Sequence, residues 1–242
     1  MAVTKTELIE QFKAEASRAG AVVFEAKDAE DANSYVLKLA QERDLKHVAK
    51  SKSALANDIG LRRHLNKAHI ELRETDLGEW IAQIAGGKPS GRKTIEQVAQ
   101  LISKATGKKL KPDPQVLLRA ANRALRQACI DADLGISEAD IAIAETGTLV
   151  IVSNAGDSRL VAVLPRLHLT MIYSEKIVPT MEDAAARLKS LFGQSPSQRI
   201  SSYVTYITGR NTTADIPGAI LARAQGPAEE HILLLNKSAS KV

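Results

Sequence analysis

Short β-branched runs alternate with amphipathic stretches through the first third of the chain, and this alternation limits the fold more than any other feature. Residues 21–25 (AVVFE), 46–50 (KHVAK) and 70–73 (IELR) read as strands. Residues 6–19 place Leu8, Ile9, Phe12 and Ala16 near helical spacing, and Gly20 stops that helix. A second helix runs from an Asp28 cap to about Arg43, and a third helical stretch carries Ile59, Leu61 and Leu65. Strands separated by helical crossovers pair in parallel. The expectation is an α/β fold, a mostly parallel sheet with helices on both faces.

Residues 85–93 (AGGKPSGRK) read as a loop, followed by helices over 94–105 and from Pro114 to Gly135. Residues 140–144 and 148–153 are apolar runs around Glu145-Thr146-Gly147, which predicts a β-hairpin in the second half. A short helix follows Asn154-Ala155-Gly156; strands over 167–173, 203–208 and 231–235 and a helix over 180–192 complete the pattern. The expected organisation is one domain: an α/β part over 1–84, a loop and helices over 85–135, a second α/β part over 136–236 and a short tail over 237–242.

Composition excludes several classes. Aromatic residues make up 3%, too few for the stacking platforms that bind single-stranded nucleic acid. The net charge of +5 is spread among acidic residues without a long one-sign run, which favours a solvated basic surface or a small anionic partner over nucleic acid. The single cysteine, Cys129, falls on the buried face of its helix and cannot supply a disulfide framework or a cluster site. No apolar stretch is long enough to span a membrane, and the polar N-terminus does not read as a signal peptide.

GxGxxG, GxxxxGK[ST], HExxH and GxSxG signatures are absent. The candidate site residues therefore come from polar turns at strand ends, where open α/β sheets bind ligands. In Glu145-Thr146-Gly147-Thr148 the carboxylate reads either as a nucleophile or base raised by burial, or as an exposed group on a plain turn. Asn154 and Gly156, with Arg159 as a carboxylate clamp, read either as an anion nest or as a capped helix start. Thr208, Gly209, Thr213 and Asp215 lie in a polar loop that suits binding or simple connection. Lys50 and Lys52, in a KSKS run at a strand end, suit a phosphate or carboxylate, or a solvated surface. His168, within a strand-like run, reads as a satisfied core histidine or as a ligand contact. The three second-half turns are expected to converge on one pocket.

The runs VAKSKSALANDIGL, ETDLGEWIAQIAG, DADLGISEADIAIAETGTLVIVSNAG, LPRLHLTMIYSEKIVPTMEDA and ISSYVTYITGRNTTADI, in this order from about Val22 to Leu235, resemble successive blocks of the lactate-utilisation (LUD) domain family. The resemblance implies a fold similar to ribose-5-phosphate isomerases and CoA transferases. It also implies a cytoplasmic role in organic-acid metabolism, as an auxiliary subunit of an iron–sulfur complex that oxidises L-lactate to pyruvate. Such a subunit would bind a small anionic ligand, with the iron–sulfur clusters held by partner subunits and no cofactor in this chain. Whether the chain is itself catalytic stays open. The alternative is a free-standing CoA-transferase-like or sugar-phosphate-isomerase-like enzyme using Glu145. The blocks resemble the LUD part of the family's long members, in which a cysteine-rich module would begin where this sequence reaches Val242. Gln225 stands before Gly226-Pro227 where short members carry a histidine.

Overall fold

The computed structural model describes residues 4–87, 93–153, 156–193, 203–213, 221–222 and 225–239. Its helices are α1 (Lys5–Arg18), α2 (Ala29–Glu42), α3 (Ala54–Asp58), α4 (Leu61–Lys67), α5 (Leu77–Ile84), α6 (Ile95–Thr106), α7 (Pro114–Asp131), α8 (Asp157–Val163) and α9 (Met181–Gly193). The strands are β1 (Val22–Ala26), β2 (His47–Lys50), β3 (Glu71–Glu74), β4 (Leu134–Glu138), β5 (Ile141–Ile143), β6 (Thr148–Ser153), β7 (Leu167–Tyr173), β8 (Ile177–Val178), β9 (Tyr203–Ile207), β10 (Thr212–Thr213), β11 (Leu221–Ala222) and β12 (Glu229–Leu235).

Six strands in the order β1-β12-β7-β4-β2-β3 form the main sheet, and every neighbouring pair is parallel. Parallel strands covered on both faces need near-continuous apolar runs, which LHLTMIY in β7 and HILLL in β12 supply. On one face α2, α3 and α4 bury Ala32, Val36, Leu55 and Leu65 against Val48, Ile136, Leu169 and Leu233. On the other, a second sheet in the order β8-β5-β6-β9 and α1 bury Leu149, Ile151, Phe12 and Ala16 against Ile172, Ile232 and Leu234. The remainder of that face is covered by α7 and α8, where Cys129 and Val161 meet Ala49. The parallel sheet flanked by helices agrees with the sequence, and the β5–β6 hairpin is antiparallel as its turn predicts.

One departure from the sequence reading bears directly on the site. The helix expected to reach Gly135 ends at Asp131, and residues 134–138 form β4, at the heart of the sheet. The helical pattern runs on because Ala132 and Leu134 are also apolar. Ala132 nevertheless turns to an extended conformation (φ −73°, ψ 137°), and Asp133 ties the start of β2 by accepting the Lys46 and His47 N–H groups. Gly135 is no helix stop: a Cβ there would lie 2.0 Å from the Val161 carbonyl oxygen, so its absence lets α8 rest directly on β4.

Cys129 lies 1% exposed under α8, and burial pushes its thiol up to about 11. At neutral pH its thiolate fraction is therefore reduced roughly a hundredfold from the ordinary value, and access is blocked as well. Titration of the native protein with a thiol reagent should show reaction at least about 100-fold slower than in denaturant. Equal rates would contradict the packing.

Candidate functional site

Adjacent parallel strands β2 and β4 send their outgoing chains to opposite faces, β2 into α3 and β4 into the β5 hairpin. Where neighbouring connections part in this way, the carboxyl ends of the strands border a crevice. A cavity of about 340 Å³ occupies it, lined by Lys52, Asp76, Glu138, Asp140, Asp157 and Ser158, with Ile151, Val152 and Phe192 among its apolar walls.

Each polar group has a local reason for its place. Ser53 caps α3 by accepting the Ala56 N–H, and its hydroxyl donates to Glu138 Oε2 at 2.9 Å. The same oxygen accepts the Leu55 N–H at 2.9 Å, while Lys176 Nζ donates to Glu138 Oε1 at 2.7 Å. Glu138 is thus a neutralised clasp between the β2 and β4 ends. Asp76 caps α5 through the Glu79 N–H. Asp140 sits at the open end of the hairpin and accepts the Val152 N–H at 2.8 Å. Burial raises its carboxyl above the usual range, with that hydrogen bond opposing. Asp157 opens α8, and burial raises it too, against a hydrogen bond from the Ser158 N–H. Lys52 is exposed at the rim, and no acidic side chain among the described residues pairs with it. One cation thus faces two carboxyls that hold a proton more readily than usual, a set that can receive a carboxylate at one end and exchange a proton at the other.

The other sequence candidates are dispersed over the fold. Lys50 is 1% exposed and lies below the cleft, where its ammonium meets Glu74 at 2.9 Å and Glu79 at 3.3 Å. Glu74 also receives Arg62, so this is an internal ion network. His168 is fully buried between Ser137 Oγ (2.8 Å to Nε2) and Glu230 Oε2 (2.8 Å to Nδ1), and Thr170 donates to the other Glu230 oxygen at 3.0 Å. This polar cross-tie joins β4, β7 and β12, and none of its members lines the cleft.

Glu145, Thr146, Gly147 and Thr148 lie at the other end of the hairpin, five strand residues from Ser153 and so roughly 17 Å away. Glu145 is exposed, and its Oε1 accepts the Met181 N–H at the start of α9. Thr146 donates to Thr148, whose Oγ1 meets that of Thr208, both at 2.8 Å. Gly147 (φ +64°) is pressed onto α1, with a Cβ position 2.2 Å from Ala16 N, and Gly209 meets the Ala19 carbonyl in the same way. The turns at Glu145 and Thr208 thus meet each other against α1. Gly156 and Arg159 flank the opposite end, where Arg159 is exposed and outside the cleft lining. The expected convergence of all three turns is therefore not what the fold forms. Thr213 lies in the short β10 pair, and Asn154 and Asp215 lie outside the described residues.

Residue matches over nearly the whole chain now join the geometry: the sequence model of the LUD domain matches residues 9–235. The chain belongs to the LUD domain family. This LUD domain is 32% identical over 239 residues to Lactate utilization protein B of Geobacillus kaustophilus, covering 96% of the chain and 48% of that protein. It is 32% identical over 230 residues to the protein of the same name from Macrococcus caseolyticus, covering 92% and 46%. The chain therefore spans about half the length of the curated relatives it matches. Among solved structures, a crystal structure of a DUF162 family protein from Deinococcus radiodurans aligns with a TM-score of 0.55 at 14% identity, covering 97% of this chain and 100% of that one. That likeness supports the fold of the LUD domain.

Asp76, Glu138, Asp140, Asp157 and Ser158 were not among the ligand-binding candidates read from the sequence. Glu138 and Asp140 became legible only with β4, whose Leu134-Gly135-Ile136-Ser137 alternation carries a period-two signal. Asp157 and Ser158 lie within the 154–159 turn, which read from the sequence either as an anion nest or as a helix start capped by one of them.

Proposed function

We propose that this LUD domain works in cytoplasmic lactate utilisation, within an assembly that oxidises L-lactate to pyruvate, by holding a small hydroxy-carboxylate in the β2/β4 cleft. The carrying observation is the pairing, across one cavity, of unpartnered Lys52 with the raised carboxyls of Asp140 and Asp157. The ligand's carboxylate would meet Lys52, and its hydroxyl would face the two acids. The matched relatives' name supports lactate as the substrate class.

In this reading the electrons pass to partner subunits that carry iron–sulfur clusters. This chain's residues do not fit such a group: its single thiol is buried, and no group of three His, Cys, Asp or Glu is placed for a metal among the described residues. Likewise, no helix among them is long and apolar enough to cross a membrane.

Ligand-observed NMR titration with L-lactate tests the assignment. Lys52→Ala should weaken binding about tenfold, the loss of one charge-assisted contact. Acids with raised folded pKa values lose negative charge first as pH falls, so wild-type binding should tighten from pH 8 toward pH 5. Binding that ignores both the substitution and pH would overturn this use of the cleft.

A further inference from the structure

The α6–α7 hairpin carries a second concave site, remote from the cleft. Residues 93–131 contain eight basic and three acidic side chains, so this segment alone matches the whole chain's net charge of +5. The excess is concentrated around a cavity of about 470 Å³ between the end of α6, the turn after it and α7. Trp80 and Leu110 line its apolar part, with Arg73, Lys108, Arg119 and Arg123 around them; no carboxylate lines it.

Two features of the cavity are unsatisfied as it stands. Trp80 is 1% exposed, and its indole Nε1 has no hydrogen-bond partner among the described residues. Buried indole N–H groups normally find an acceptor. Arg119 and Arg123 stand one helical turn apart on α7 as exposed like charges, a repulsive spacing, and no ion pair to either is formed among the described residues. Arg73, by contrast, is held by Glu71 at 2.6 Å. A ligand with a negative group for the arginines and an apolar body over the Trp80 and Leu110 floor would fit the cavity. The volume is within the range of about 300–1,000 Å³ usual for small-molecule sites.

We propose that this cavity is a binding site for a small amphipathic anion, an acyl or aryl carboxylate or phosphate monoester, with Arg119 and Arg123 on the anionic group and Trp80 beneath the apolar body. The site is independent of the β2/β4 cleft, whose lining shares no residue with it.

Trp80 is the chain's single tryptophan, which makes the test local. The probe is 8-anilinonaphthalene-1-sulfonate, an aromatic body with one anionic group. Titrated into the full chain, it should quench Trp80 emission saturably with sensitised emission of its own. Octanoate should displace it; octanol, with the same body and no charge, should not. The double variant Arg119→Gln/Arg123→Gln changes exposed positions to another good helix former, and circular dichroism confirms that it folds. In that variant the probe's affinity should fall at least about tenfold. Unchanged affinity in the folded variant overturns the proposal. So does equal displacement by octanol, or displacement by a glutamate-rich peptide but not by octanoate, which would mark a protein-docking surface instead.

Discussion

Lys50→Met should lower the free energy of unfolding by about 3 kcal/mol, the lower end of the loss usual when one partner of a buried ion pair is removed. Lys50 and Glu74 are 1% and 0% exposed, so water cannot replace the lost ammonium. Arg62 still reaches Glu74, which keeps the loss from being larger. Glu79 shows the same dependence: burial raises its carboxyl, and Lys50 pulls it back down. Without Lys50 the folded-state pKa of Glu79 rises further. An acid raised on folding destabilises the native state above its pKa, so the deficit should be greatest at neutral pH and shrink as pH falls through the raised range. Replacing Glu74 with Leu as well should recover part of the loss, because an apolar pair of similar volume fits a buried site. Urea unfolding of the three proteins at pH 7 and pH 5 provides the measurement. A single variant within about 0.5 kcal/mol of wild type would show that the network is no structural necessity.

Gly135→Ala should cost about 3 kcal/mol, at the upper end of overpacking losses, and should also weaken ligand binding in the cleft. The added methyl meets backbone on one side and a ring on the other, with Val161 O at 2.0 Å and Pro165 Cγ at 3.1 Å. Neither is the free end of a flexible side chain, so α8 itself must lift from β4. Asp157 and Ser158 begin that helix and line the cleft. The coupling separates this variant from an ordinary core defect: thermal unfolding and lactate titration should both change. A melting point lowered without any change in binding would mean that α8 yields only at its far end.

The fold was legible wherever periodicity was unambiguous. LHLTMIY and HILLL are near-continuous apolar runs because both faces of β7 and β12 are covered, and TLVIVS beside a glycine turn can scarcely be anything but a hairpin strand. The site was less legible because its frame is β4, which begins three residues after the end of a strong helix whose apolar pattern continues without a break. Lys50 and Lys52 look equivalent in a KSKS run. Lys50 is the last residue of β2 and is buried, whereas Lys52 lies two residues past the strand end, at the rim. The partners that hold Lys50, Glu74 and Glu79, are more than twenty residues away. Likewise, nothing local in LHLT identifies the partners of His168, since Ser137 and Glu230 come from strands placed beside β7 only by the completed topology.

That topology also sets the order in which the molecule can be assembled. β12, the last strand in sequence, lies between β1, the first, and β7, with Val22 facing His231 and Glu230 facing His168. During synthesis β1 therefore has no neighbour in the main sheet until residue 235 has left the ribosome, and β7 exposes an unpaired edge with its histidine lacking an acid. At about 5–20 residues per second, this leaves β1 waiting on the order of ten seconds or more. The N-terminal helices can gather on β2 and β3 meanwhile, but closure of the sheet is a late, long-range event, the kind of contact that slows folding and leaves strand edges open to other chains.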